Sequence, residues 1–373
     1  MQFIIEKNIF LKLLSHANNV VERRNTLLIL ANILIEAKDD RVRITATDME
    51  MEVVEEAPAN VIKSGKTTVS AAIIHDYVGK LDDGAQIEVA FDEEKERLSL
   101  KSGKSVLEQA TMAADEFPVM DATGFTHEFS LEAHPLRSMF NRAKFAMSQE
   151  ETRFYLNGIY IHDLIEGEEM PKLRFVATDG HRMARLEMPL PDGAKGMPAI
   201  IVPRKTVNDF IRLTEDDEGM VHIRVGENKI RFEIGDLILT SKLVDGRYPE
   251  YDRVIPKTHN SILAVDQREL RNALNRVSIV SAERAKTVKM MLSNNIARIS
   301  AVTDGPNSAD DEINVEYDAQ ELTIGFNSRY MSEIMANIIA DKANIYLQDG
   351  FEPMLIRDDG DESALFLLMP LRV

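Results

Sequence analysis

Cysteine is absent from the 373-residue chain. Disulfides, thiolate nucleophiles and cysteine-ligated zinc are therefore excluded, and a reducing cytoplasm is the natural setting. Long apolar runs are missing too. No segment approaches the roughly 20 apolar residues of a membrane span, and the opening MQFIIEKNIFLK lacks the basic start and long apolar stretch of a secretory signal. A soluble, cytoplasmic protein with no membrane partner is expected. Eight histidines are scattered with no pair at metal-ligand spacing, and no acidic hairpin has the spacing of a dedicated calcium loop, so neither metal nor cofactor is expected. Positive charge is in short supply: 44 Lys and Arg face 62 Asp and Glu, a formal net charge of −18. Taken alone this disfavours polyanionic partners, an inference that fails if the charge is unevenly spread. What remains is ordinary globular material, 44% hydrophobic and 28% charged, long enough for two or three domains.

The stretch FVATDGHRMA at 175–184 crowds Thr178, Asp179, His181 and Arg182 behind a strand-like run and invites a catalytic reading. Two further versions weaken it. ITATD ends at Asp48 and SAVTD at Asp304, with 131 residues from Thr47 to Thr178 and 125 from Thr178 to Thr303. A catalytic site is rarely present three times in one chain, whereas an internal repeat explains the spacing.

Each unit opens with a short alternating strand that runs into an amphipathic helix: MQFIIEKNIFLKLLSHANNVV, HEFSLEAHPLRSMFNRAKFAM from His127 and NSILAVDQRELRNALNRVSIV from Asn260. In the second unit a helix from Pro135 to Met147 puts Leu136, Phe140, Ala143 and Met147 on one face, with Arg137, Asn141 and Lys144 away from it. Strands lead to the TD pair. A second strand-to-helix junction follows in TTVSAAIIHDYVGKL, AIIVPRKTVNDFIRL and LTIGFNSRYMSEIMANII, and hairpins then close the units at Phe117-Pro118, Tyr248-Pro249 and Met369-Pro370. Turn formers cluster at DATG (121–124) and PKTHN (256–260). The pattern predicts an α+β fold of three repeated domains, 1–122, 127–254 and 258–373, each with two helices packed on antiparallel sheets.

Helices that bury one face on a sheet leave their polar faces together on one side of the array. Those faces are cationic here: Arg137, Arg142 and Lys144 in the second unit, and Arg268, Arg271 and Arg276 in the third, while acids gather in FDEEKE, LIEGEE, LTEDDEG, SADDE and RDDGDE. A chain of net negative charge can thus present a positive, helix-lined surface to phosphates. Two other classes compete. A hydrolase using Asp179 and His181 would need a nucleophile or metal that the sequence does not supply, and a carbohydrate- or protein-binding scaffold could use the same repeats. SGKS at 102–105 imitates the end of a phosphate loop, but Leu98 occupies the place of its first glycine and the context is strand and hairpin.

FAMSQEETRFYLNG, RFVATDGHRMA, IIVPRKTV, LTSKLVDGRYPEY and the terminal LMPLRV resemble, in order and over the whole chain, the beta subunit of bacterial DNA polymerase III, the replicative sliding clamp. The resemblance implies a non-catalytic processivity factor: a ring-shaped, head-to-tail homodimer of six domains that encircles double-stranded DNA without reading its sequence. Its implied protein partners are the replicative polymerase's catalytic subunit, the clamp loader, other polymerases and repair proteins. DNA contact is implied for Arg24, Gln149, Arg153, Phe154, Tyr155, Arg204 and Lys205, beside the basic-face residues Arg137 and Arg142. Ala72 and Ile73 stand where similar clamps carry a basic pair, and Leu28 stands where a proline is common.

A hydrophobic peptide-binding pocket is implied for Leu156, Thr178, Gly180, His181, Arg182, Met183, Pro249 and Val254, with Leu367, Met369, Pro370, Leu371 and Arg372 from the chain terminus; Met183 stands where a leucine is usual. Methionine-rich aliphatic walls repack readily and suit several linear peptides in turn. At the dimer contact the resemblance places Lys104 and Leu107 against Ile279 and Val280, and Asp310, Asp311 and Glu312 could sit opposite Lys104 and Arg97. Size agrees with pairing. A domain of this length is about 35 Å across, so three in a ring leave a hole of only about 5 Å and six leave about 35 Å, enough for a duplex roughly 20 Å wide.

Overall fold

The computed structural model describes residues 1–21, 27–165, 170–280, 286–301 and 306–373. Arg24 and the third TD pair, Thr303 and Asp304, lie outside the described residues.

All six expected strand-to-helix junctions are present. Strands Gln2–Glu6, Gly65–Ser70, Phe125–Glu132, Ile200–Pro203, Ser261–Asp266 and Leu322–Asn327 run directly into α1 (Lys7–Val20), α2 (Ala71–Gly79), α3 (Ala133–Ala143), α4 (Arg204–Leu213), α5 (Gln267–Val277) and α6 (Ser328–Met335). At three of them the last strand residue caps the helix: Glu6, Asp266 and Asn327 each accept two backbone N–H groups of the first turn. One boundary differs from the periodicity. The α-helix of the second unit stops at Ala143, and Lys144–Ala146 form a 3-10 turn; that tighter winding still buries Met147, so the apolar pattern ran past the helix proper.

Among the described residues four antiparallel sheets arise, two of eight strands, one of five and one of four. The SGKS stretch is a hairpin turn in the five-stranded sheet, Ser102 paired with Ser105 and Gly103 at φ 58°, which removes the phosphate-loop reading. Contacts divide the described chain into two compact units. The first comprises Met1–Arg137, Pro191–Pro198 and Lys205–Leu243, and the second Ser138–Leu190, Ala199–Arg204 and Val244–Val373. Neither follows the sequence repeat, because sheets continue across it. Within the first unit strand Leu237–Lys242 pairs with Met51–Pro58, and within the second Arg182–Pro189 pairs with Asp361–Leu368. In the first unit α1 and α2 pack together, in the second α5 and α6.

The two described TD turns are built alike. Asp48 accepts the N–H groups of Glu50 and Met51 while Thr47 donates to the Met51 carbonyl; Asp179 accepts those of His181 and Arg182 while Thr178 donates to the Arg182 carbonyl. The repeated motif is a turn lock. Among the described residues no helix is long and apolar enough to cross a membrane, and no group of three or more His, Asp or Glu is placed to hold a metal ion.

Candidate functional site

Strand register in the second unit creates an apolar wall. Met183 pairs with Leu367 across adjacent strands, and alternation sends both to one face, where they join Leu156, Val176, Ile201, Tyr248, Tyr251, Leu355 and Leu365 in a buried cluster. Tyr155 and Met369 pack on its margin. The terminal strand extends it, since the Met369 N–H donates to the His181 carbonyl at 2.8 Å and the Leu371 N–H to the Gly325 carbonyl at 2.7 Å. A side chain at Gly325 would collide with the Leu371 carbonyl and Val373. The tail is therefore fastened, yet Leu371, Arg372 and Val373 stay exposed.

Arg182 is buried among partners of its own. One residue before Met183, it points to the opposite face, where its buried guanidinium pairs with Asp179 at 3.1 Å and with Glu333, donates to the Phe145 carbonyl, and lies over the rings of Phe145 and Tyr330. It anchors the loop that carries Gly180 and His181. Burial alone would raise the Glu333 carboxyl, but hydrogen bonds from Arg329 and Arg182 hold it below the usual carboxylate range. Asp179 is spent in the same way, on two backbone N–H groups and Arg182, so no general base is left beside His181. His181 and Gly180 are exposed at the rim, with Gly180 at φ 86°. Pro249 and Val254 are exposed, and Pro370 half-buried, at its edges.

Sequence reading missed Val176, Ile201, Tyr248, Tyr251, Leu355 and Leu365. Val176, Ile201, Tyr248 and Tyr251 lie within stretches already quoted, while Leu355 and Leu365 belong to the near-continuously apolar runs MLIRD and ALFLL, so in neither case does local pattern mark which residue faces the cluster.

The residues expected at DNA separate on inspection. Gln149, Arg153 and Phe154 are exposed, on or beside the 3-10 segment Glu151–Leu156. Arg153 reaches the Asp179 carbonyl at 3.5 Å, and Phe154 and Tyr155 meet edge-to-face 5.7 Å apart, so this segment also borders the apolar pocket. Arg204 is half-buried at the start of α4, and Lys205 donates to Asp48 and to the Val20 carbonyl while keeping its side chain 38% exposed. Arg137 donates to the carbonyls of Thr214 and Asp217. Arg142 is a correction. It is buried, bonded to Asp361 at 2.6 Å and 3.5 Å from Asp358, because it falls on the flank of α3 that faces the sheet. It is no phosphate ligand.

At the expected dimer contact, Ile279 is 79% exposed, Val106 56%, and Leu107 and Val280 half-buried. Arg97, Lys104 and Asp310 are exposed. Asp311 and Glu312 pair within the chain, with Arg276 at 2.6 Å and Arg298 at 2.9 Å. Strands Ser105–Ala110 and Asp310–Asn314 each end a sheet.

Comparison with known proteins gives a uniform answer. Residues 1–121, 130–250 and 252–372 match the N-terminal, central and C-terminal domains of the DNA polymerase III beta subunit. The chain is 40% identical over 373 residues to the beta sliding clamp of Caulobacter vibrioides and 34% over 376 to that of Escherichia coli K12, covering all of both chains in each case. Its fold matches a crystal structure of the C. crescentus beta sliding clamp with a TM-score of 0.97 at 40% identity, covering 100% of this chain and 99% of that one. The sliding clamp of Bartonella birtlesii bound to griselimycin matches with a TM-score of 0.97 at 39% identity over 100% of both chains.

Proposed function

The chain belongs to the DNA polymerase III beta-subunit family, and on that premise we propose which of its residues carry the work of a bacterial sliding clamp. The protein is a non-catalytic processivity factor that encircles duplex DNA as a dimer and tethers polymerase and other replication proteins. Its division into 1–122, 127–254 and 258–373, its cytoplasmic location and its site assignments are our reading.

The peptide-binding pocket is the cluster around Met183 and Leu367, reached past Gly180, His181 and the terminal strand. The observation that carries this is its place: an apolar cluster whose margin, at Tyr155, Val244, Ile255 and Met369, is only partly buried. The complex of the Bartonella clamp with griselimycin supports a ligand site on this fold. Leucine or phenylalanine anchors of a linear peptide would supply most of the binding energy there. Dimer closure uses the end strands Ser105–Ala110 and Asp310–Asn314 of two copies, with Ile279, Val106 and Leu107 as the apolar part. A head-to-tail contact of this kind closes after two subunits.

DNA contact falls to Gln149, Arg153, Phe154, Arg204 and Lys205, which suit phosphates without reading bases. With few such groups and a net charge of −18, direct affinity is weak and falls with salt. Topology must hold the ring on DNA. The test is retention: loaded by an ATP-driven loader on a nicked circle, the clamp stays on at high salt and is lost when the circle is linearised. Equal retention on both forms would refute encirclement.

A further inference from the structure

Beside the proposed anchor pocket, in the same compact unit, lies a cavity of about 590 Å³ between Tyr160, His162, Ala199 and the segment Gly246–Arg253. Its floor is aromatic. Tyr160 and Tyr248 stack 4.6 Å apart with rings 2° from parallel, and Tyr251 stands edge-on to both at 6.4 Å. Most of the floor's polar groups are taken up within the chain. The Tyr251 hydroxyl accepts from Arg174 Nη1 at 3.0 Å and bonds to His162 Nε2 at 2.8 Å, while His162 Nδ1 bonds the Asp163 carbonyl at 2.7 Å and the Tyr248 hydroxyl donates to the Val176 carbonyl. A site with these bonds closed internally favours an apolar or aromatic guest.

The rim differs from the floor. Arg247 and Arg253, with side chains 89% and 80% exposed, both lean on one carboxylate, Glu250, while the neighbouring Asp252 is 3.5 Å from the buried Arg174. Two guanidinium groups sharing one carboxylate have donors to spare for another. Tyr248 and Tyr251 belong to both this floor and the apolar cluster, so one extended peptide can reach both.

We infer that this niche is an accessory subsite, taking an aromatic or large apolar side chain that stands beside a carboxylate in the peptide anchored next door; the inference rests on the pocket reading above. The carboxylate can be an Asp or Glu side chain or the peptide's own C-terminus.

Calorimetric titration of the intact dimer tests it. The probes are a QLxLF-type pentapeptide, the same peptide extended at either end by Gly-Gly, Trp-Asp or Trp-Asn, and a form ending in Trp with a free or amidated carboxyl. One Trp-Asp extension tightens binding about tenfold over Gly-Gly, the scale of one well-stacked aromatic with a charged bond. Asn in place of Asp loses part of the gain, and the free-acid and amide forms decide whether a chain terminus serves instead. Ala199→Trp fills the cavity and abolishes the gain while pentapeptide affinity stays unchanged, which also reports an intact fold; Arg253→Gln lowers only the carboxylate part. No gain from any extension, or a gain that survives Ala199→Trp, overturns the subsite alone. A pentapeptide that does not bind at all sinks the pocket reading and this inference with it. Displacement of the extension's gain by a single-stranded oligothymidylate would assign the niche to nucleic acid and overturn the peptide assignment.

Discussion

Met183 and Leu367 stand directly opposite each other on adjacent antiparallel strands, each 2% exposed, and both look into one apolar cluster. One comes from the loop-strand that repeats the TD motif, the other from the final strand of the chain.

Their pairing sets a first expectation. Met183→Leu nearly conserves volume, so peptide affinity shifts by less than about tenfold. Leu367→Ala instead opens a cavity, costing about 2–5 kcal/mol of stability and weakening peptide binding together. Fluorescence-polarisation titrations and thermal melts on the same samples separate the two variants. Equal damage from both would contradict the shared wall.

Removing Met369–Val373 deletes the two backbone bonds to His181 and Gly325 and the outer lip, but no core strand. Peptide and polymerase binding are expected to vanish while light scattering still reports a dimer. A truncated chain that binds a QLxLF-type peptide at wild-type affinity would move the pocket elsewhere.

Ile279, at 79% exposure, contributes little to the fold of a single copy. Ile279→Glu therefore leaves the melting curve of the protomer intact and places an uncompensated charge in the subunit contact, costing several kcal/mol of association, on the order of 3–5. Sedimentation should then return 42.1 kDa where the wild type returns twice that mass. A wild-type monomer at micromolar concentration would end the ring model.

Arg142 separates structure from DNA contact. Arg142→Ala leaves Asp358, which has no side-chain exposure, beside an empty site, and is expected to destabilise the second unit by about 3–5 kcal/mol without changing the salt slope of DNA binding. Arg153→Ala is expected to do the opposite. Urea melts and salt-dependent binding isotherms distinguish them.

Acid should loosen the same unit. Burial alone would raise the carboxyls of Asp361 and Glu187, but Ser363 and Arg142 around the first, and Lys172, Arg185 and Arg174 around the second, hold both below their ordinary range. A carboxylate with a depressed folded pKa contributes stability that is present above the unfolded value, near about 4, and lost as pH falls through the folded one. The melting temperature should be flat from neutral to about pH 5 and fall below about pH 4, less steeply in Asp361→Asn. A profile unchanged by that substitution would show that the pair carries no pH dependence.

The strand-to-helix junctions were legible because their signals are local. A period-two run ending in Glu6, Asp266 or Asn327 meets a period-3.6 run, and the polar residue at the join caps the helix. The pocket was half legible. Thr178, Met183, Leu367 and Met369 sit in motifs that resemble known clamps, but Tyr248, Tyr251 and Leu355 become neighbours of Met183 only through pairing. Arg142 misled because its charge marked it as a surface group, while Asp358 and Asp361, far along the chain, were placed to receive it.

By itself the sequence determined the repeat, the elements and the absence of thiol chemistry, because residue type and spacing act over one or two turns of chain. Only tertiary structure decided that strand Leu237–Lys242 adds to Met51–Pro58, and Arg182–Pro189 to Asp361–Leu368, so that sheets run through the boundaries of the repeat. Backbone N–H and C=O groups on a strand edge bond to whatever edge is presented at the right height, and the side chains carry no local mark of which partner that will be. The pocket is a consequence of that pairing, since its two walls are strands from different repeats whose register alone brings Met183 and Leu367 to the same face.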